Sequence, residues 1–336
     1  MRALYIHGKE DIRLQDVATP EPGPGEVRLR MAYAGICGSD LHYYFEGANG
    51  AFVVEEPLIP GHEVSGTVDL DPSGRLAPGT PVTVHPATFG PVVPGIEDRR
   101  HLFPGGSYLG SASTHPHTQG GMSEYLIVKD FMVRELPAGL DLKVAALAEP
   151  LGVGLHGIQI ADGVAGKKVL VSGSGPIGLL AAAAALAEGA AEVVATDVLD
   201  GPLERAAALG ATALRSGSEE VPKGHFDVVL ECSGVPAAVS AAIEALRPAG
   251  VLAQIGMMGA GAQPIALAPL IAREIELRGC FRFNTEIDDA IALLAARPEI
   301  ADAVITHTIG ADDAVEAFTT ARDSQASGKV VVDLWN

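Results

Sequence analysis

Lys168-Val169-Leu170-Val171-Ser172-Gly173-Ser174-Gly175-Pro176-Ile177-Gly178 decides the fold of this chain. Its first five residues read as a short apolar strand, and glycines spaced G-x-G-x-x-G lead directly into a helix-forming run from Pro176 to Glu188. Glycine-rich turns alone are common, so the context matters. A second β segment, Glu192-Val193-Val194-Ala195-Thr196, follows and ends in Asp197, 19 positions beyond Gly178. Backbone amides at a helix N-terminus suit a pyrophosphate, and a carboxylate closing the second strand suits ribose hydroxyls. The pattern predicts a dinucleotide site built from Gly173, Gly175, Pro176, Ile177, Gly178 and Asp197. A carboxylate there repels a 2′-phosphate, and Val198 and Leu199 rather than Arg follow it, so NAD is expected over NADP. Pro202 and Arg205, five and eight residues on, weigh slightly the other way.

Outward from this stretch the alternation continues. Ala211 to Arg215, Phe226 to Glu231, Val251 to Ile255 and Glu276 to Gly279 are further β segments separated by helical runs, which describes a doubly wound, six-stranded parallel sheet of α/β type. Two of these strands end in Cys232-Ser233-Gly234 and Ile255-Gly256-Met257. Carboxyl ends of such a sheet face the cofactor crevice, although strand-to-loop glycines are also ordinary turn chemistry.

Residues 1–150 have a different texture. They are dense in Gly, Pro and short β runs such as Glu26 to Met31, Val64 to Leu70 and Pro81 to Val84, with Pro-Gly turns between them. After about 290 the texture is mixed again and closes on an expected strand, Val330 to Leu334. At 336 residues two domains are expected. The boundaries are drawn as 1–148 with 290–336 for a β-rich domain and 149–289 for the nucleotide-binding one.

A net charge of −19 opposes binding to a phosphate backbone or an anionic membrane. The longest Ala/Leu run, Leu179 to Ala187, is too short to span a bilayer. Three cysteines, Cys37, Cys232 and Cys280, match no disulfide framework, and Cys280 reads as structural. A cytoplasmic protein without nucleic-acid or membrane partners is expected. The irregular stretch Ala87 to Gly121 holds four Pro, seven Gly and three His, and its length marks it as functional or interface-forming.

Cys37, in Gly35-Ile36-Cys37-Gly38-Ser39-Asp40-Leu41-His42-Tyr43-Tyr44, precedes Gly61-His62-Glu63. A Cys, His and Glu donor set suits zinc better than magnesium or calcium, which prefer oxygen shells. Taken singly, each residue has an ordinary reading: a small buried thiol, a satisfied core histidine, a solvated carboxylate.

Together, Gly35-x-Cys37-Gly38-Ser39-Asp40, Gly61-His62-Glu63, Ala148-Glu149-Pro150-Leu151 and the glycine turn resemble the zinc-dependent medium-chain dehydrogenase/reductases over essentially the whole chain. Glu149 resembles the polyol branch. Gly38 to Gly47, Gly110-Ser111-Ala112 with His117, and Gly279-Cys280-Phe281-Arg282-Phe283 look most like its L-idonate 5-dehydrogenase members. The resemblance implies a GroES-like β-rich catalytic domain beside a Rossmann domain, and zinc held by Cys37, His62 and Glu149, with Glu63 the alternate or fourth ligand. It implies that Asp40 orients the His62 ring and that Ser39 and His42 relay a proton. It further implies that Cys232, Ser233, Gly234, Ile255, Gly256 and Met257 meet the nicotinamide half of NAD, and that Tyr43, Arg282 and Phe283 contact substrate. His115 and His117 either add positive character or are simply exposed. Ala87 to Gly110 lacks the four cysteines that hold a structural zinc in many relatives, so one catalytic zinc per chain is expected. The implied reaction is hydride transfer from a sugar-acid alcohol, L-idonate, to NAD, in a homodimer or homotetramer. A sorbitol- or xylitol-type polyol dehydrogenase is the nearest rival, and an NAD-binding redox sensor the non-enzymatic one.

Overall fold

The computed structural model describes residues 1–334 and builds them around two large sheets. Six strands of one sheet run in the spatial order Thr212–Arg215, Glu192–Asp197, Lys168–Ser172, Phe226–Glu231, Leu246–Gln254, Glu276–Gly279, and every neighbouring pair is parallel. Val169, Leu170, Val171, Val228, Val229 and Leu230 are buried, as parallel strands covered on both faces require. The fifth strand is longer than expected. It opens at Leu246, because a register shift lets Leu246 pair with Phe226 ahead of the main ladder, and it ends at Gln254.

Strand order reverses on either side of Lys168–Ser172, so a crevice opens outside the carboxyl ends at that point. The helix Pro176–Ala187 is alanine-rich and buried from Gly178 to Ala185. Its small side chains admit the helix Ala148–Ile160 closely: a Cβ at Gly154 would lie 3.1 Å from the Ala181 backbone. This packing sets the position of Glu149, at the start of the second helix.

The other sheet runs Ile305–Gly310, Lys329–Asp333, Glu26–Gly35, Glu63–Leu70, Pro81–Val84, Val133–Glu135, with Tyr125–Lys129 also pairing against Glu26–Gly35. It has its own core, which includes Val27, Leu29, Val64, Val68, Val82, Phe318 and Val332. Two strands from the far end of the sequence thus complete a sheet begun near its start.

The expected boundary at 290 can be placed on this arrangement. It falls inside the helix Ile287–Ala296, whose Ile287, Ile291 and Leu294 pack with Ile300 and Val304 in the same core as Leu151, Leu155 and Leu179. The chain rejoins the first sheet only at Ile305. Among the described residues no helix is long and apolar enough to cross a membrane.

Candidate active site

Cys37 stands at the N-terminus of the helix Gly38–Glu46, and Glu63 opens the strand Glu63–Leu70, with His62 just before it. The antiparallel register places Gly35 opposite Glu63. A Cβ at position 35 would come within 2.1 Å of Glu63 Oε2, so only glycine lets the carboxylate lie across this strand. One ligand-type atom from each of Cys37, His62 and Glu63 lies within 4.8 Å of the others.

Glu149, expected to rank with Cys37 and His62, lies outside this cluster, and Glu63, expected as the alternate or fourth ligand, lies within it. Glu149 is buried near the start of its helix, where Oε1 accepts a hydrogen bond from Tyr108 Oη at 2.6 Å. Burial, then repulsion from Glu63, raises its pKa against the opposing attraction of His62. For His62, burial favours the neutral ring, but the charges of Cys37, Glu149 and Asp40 outweigh it and push the pKa well above its ordinary value.

Two polar atoms here are buried without a partner, His62 Nδ1 and Glu63 Oε2. Buried donors and acceptors are seldom left unpaired, and two of them within a sulfur, nitrogen and oxygen set fit a bound transition metal, zinc first. Asp40 departs from its expected role. Its carboxylate accepts from the backbone amides of Cys37 (3.0 Å) and Gly61 (3.1 Å) and makes no hydrogen bond to the His62 ring. It fixes the two ligand-bearing loops relative to each other instead.

Ser39 and His42 lie three residues apart on the same helix, on one face. Ser39 is half-buried, whereas the exposed His42 ring bonds Glu46 Oε1 at 3.0 Å. Tyr43 differs from a substrate-facing donor. It is buried, and its hydroxyl accepts from Ala112 N at 3.1 Å and lies 3.4 Å from Ser111 Oγ. Phe283 is likewise withdrawn, 1% exposed and packed against Gly152 and the His85 ring. Arg282 lies over the Tyr108 ring at 3.9 Å. His117 is buried with both ring nitrogens engaged, by Thr114 O and Glu55 N, and His115 is exposed, so neither joins the cluster.

At the sheet's switch point Gly173 adopts φ +90°, and a Cβ there would lie 2.8 Å from that of Ser233. Gly175 caps the helix Pro176–Ala187, and a Cβ there meets nothing within 4 Å, which leaves the helix N-terminus open to a pyrophosphate. Pro176 and Ile177 are half-buried in the first turn, and Gly178 packs on the Gly173 carbonyl. Asp197 accepts from Ser174 N (2.9 Å), Val198 N (2.7 Å) and Leu199 N (3.0 Å). Arg205 is occupied by the carbonyls of Ser324, Gln325 and Ser327, while Arg215, the sheet partner of Asp197, pairs with Asp200.

The turns Cys232-Ser233-Gly234 and Ile255-Gly256-Met257 pack against each other beside Gly173: a Cβ at Gly234 would lie 2.2 Å from Met257 O. Cys232 is half-buried, its thiol pushed well up by burial, and Met257 is exposed. Burial also pushes the Cys280 thiol up to about 12, in keeping with a structural residue.

Three residues that shape the site escape the sequence reading. Glu231, fully buried, accepts from Ser233 N, Gly234 N and Gln254 Nε2 and so organises the crevice. Tyr108 links Glu149 to the long loop, and no spacing signals it. Lys329, 2% exposed, donates to Glu63 Oε1 at 2.6 Å and Ile36 O at 3.0 Å. A lysine heading the run Val330-Val331-Val332 could have been noticed, since fully buried lysines are almost always paired.

Two family descriptions match the chain: an alcohol dehydrogenase GroES-like domain over residues 23–138 and a zinc-binding dehydrogenase over residues 176–296. It is 36% identical over 335 residues to sorbitol dehydrogenase of Macaca fascicularis, spanning 95% of this chain and 92% of that protein. It is 37% identical over 301 residues to L-idonate 5-dehydrogenase (NAD(P)(+)) of Escherichia coli (strain K12), spanning 88% and 87%. The crystal structure of L-idonate 5-dehydrogenase from E. coli K-12 superposes with a TM-score of 0.93 at 33% identity, covering 99% of this chain and 97% of that one.

Proposed function

Since the chain belongs to the zinc-binding alcohol dehydrogenases with a GroES-like domain, we propose that it oxidises a secondary alcohol of a sugar acid with NAD, most specifically L-idonate to 5-keto-D-gluconate or the reverse. The convergence of Cys37, His62 and Glu63, with His62 Nδ1 and Glu63 Oε2 unpartnered, carries this reading. These three residues would hold one zinc per chain, and Glu149 stands beside them. When bound, zinc would supply the Lewis acidity that lets a substrate hydroxyl lose its proton at neutral pH, so that the carbon bearing it can give up hydride to NAD.

The chain's own residues do the rest. Lys329 offsets the buried charge of Glu63, and Tyr108 holds Glu149. Ser39 and then His42, at the exposed end of the same face, pass the substrate proton to solvent. Gly173, Gly175 and Gly178 give the dinucleotide its cradle, and Asp197 takes the adenosine ribose, which favours NAD. Cys232 to Gly234 and Ile255 to Met257 flank the nicotinamide side. The nucleotide-binding unit runs from 149 to about 304 in this reading, and the edge strand Glu276–Gly279, with Leu277 exposed, offers a surface for a homodimer or homotetramer.

Arg282 suits the carboxylate of a sugar acid, but a similar Arg also occurs in relatives that oxidise uncharged sorbitol, so the choice of substrate rests on a direct kinetic comparison. Metal analysis together with NAD reduction on L-idonate, D-gluconate, D-sorbitol and xylitol tests the proposal. One zinc per chain and highest kcat/KM on L-idonate are expected. Highest kcat/KM on a neutral polyol would move the chain to the rival polyol reading, and NAD binding with no turnover would favour the redox sensor.

A further inference from the structure

Tyr108 and Arg282, which stack on each other, both line a cavity of about 220 Å³ formed between the long loop and residues 281–283. The chain has 42 acidic and 23 basic side chains, yet no Asp or Glu lines this cavity, while Arg100 and Arg282 both do. Each guanidinium is stacked: Arg100 lies over Phe89 at 4.4 Å, and Arg282 over Tyr108 at 3.9 Å and Phe281 at 4.8 Å. Stacking fixes the plane of a guanidinium and leaves its N–H edges free to donate. Among the described residues neither side chain joins an ion pair or donates a hydrogen bond. Arg282 also holds φ +53°, a left-handed backbone that a non-glycine residue rarely adopts and that clusters at ligand clamps.

We propose that this cavity receives the anionic end group, carboxylate or phosphate, of an open-chain polyol derivative, and that Arg100 sets specificity for it beside Arg282. The inference rests on the dehydrogenase reading above. The Tyr108 ring centre lies 3.9 Å from Arg282 Cζ and 5.3 Å from the His62 ring centre, so by the sum of these the guanidinium and the imidazole are at most about 9 Å apart. That is the scale of an extended hexonate with its reacting hydroxyl at the metal-type cluster and its charged end under the loop. A neutral hexitol would leave both guanidiniums without an acceptor.

The test compares the unmodified protein with Arg100→Gln and Arg100→Lys on L-idonate, D-sorbitol and galactitol 1-phosphate. The loss of one charge-assisted pair predicts a KM about tenfold or more higher for the anionic substrate in Arg100→Gln, a far smaller change for D-sorbitol, little change in kcat, and partial recovery in Arg100→Lys. Preference of the unmodified protein for L-idonate or for galactitol 1-phosphate identifies carboxylate or phosphate as the end group. An unchanged KM for the anionic substrate, or an equal rise for D-sorbitol, overturns the assignment. Calorimetric titration with D-gluconate and with inorganic phosphate, without cofactor, separates this from failure of the dehydrogenase reading. Binding of either anion that Arg100→Gln abolishes supports the cavity even if nothing is oxidised, and binding of neither overturns it.

Discussion

Replacing Glu286 by Gln tests how the helix that carries Glu149 is held. His156 lies seven residues beyond Glu149 on that helix, and its Nδ1 is 2.7 Å from Glu286 Oε1, both side chains being buried. Glu286 Oε2 also accepts from the amides of Asn284 and Thr285. Burial alone would raise this carboxyl, but the His156 hydrogen bond and charge, with the amides, hold it at about 2 against an ordinary 4.5. A pKa held that far down corresponds to stabilisation on the order of 3 kcal/mol at neutral pH, at 1.36 kcal/mol per unit. The folded value is depressed, so the contribution is fully present above about pH 4.5 and is lost as pH falls towards 2. Urea unfolding of the unmodified protein and of Glu286→Gln, followed by circular dichroism from pH 7 down to pH 3, should show a gap of about 2–3 kcal/mol that narrows below pH 4.5. Equal stability at pH 7, or a gap indifferent to acid, would refute the reasoning. Turnover should fall in the same variant as Glu149 loses its fixed position, with circular dichroism still reporting a folded chain.

Gly35→Ala should displace the Glu63 carboxylate, because the added Cβ comes within 2.1 Å of Oε2; zinc content well below one per chain in a protein of unaltered circular dichroism is the expected result. Lys329→Met leaves Glu63 buried without its counter-charge and should cost about 3 kcal/mol or more in urea unfolding, with Lys329→Arg recovering part of the loss. Asp197→Ser should weaken NAD and improve NADP turnover; unchanged cofactor preference in steady-state kinetics would dissociate Asp197 from the ribose. His42→Ala should lower kcat and alter its pH profile, and an unaltered profile removes His42 from the proton path.

The parallel sheet was legible because strand, glycine turn and acidic residue each have a local signature, and the strands are apolar enough to stand out individually. The limits of Leu246–Gln254 were less legible, since a register shift depends on the neighbouring strand. Within the site, Cys37, His62 and Glu63 could be proposed from donor chemistry, but their ranking against Glu149 could not. Where the two carboxylates come to lie depends on a register, Gly35 opposite Glu63, and on a loop that brings Tyr108 to Glu149. Tyr43 and Phe283 show the same limit: residue type suggests a contact, but only the packing around Ala112 and Gly152 determines which way each side chain turns.

Lys329 reaches Glu63 across 266 positions of sequence, from a strand that enters the sheet after the entire nucleotide-binding unit has been traversed. On a ribosome, therefore, Cys37, His62 and Glu63 emerge long before the cation that neutralises one of them. Until then the nascent pocket carries an uncompensated carboxylate and an open sheet edge along Gly35. A metal centre of the kind proposed at these three residues would therefore be completed only once residues 305–334 have been made, and ribosome-bound chains stalled before Ile305 should retain zinc far less firmly than released ones.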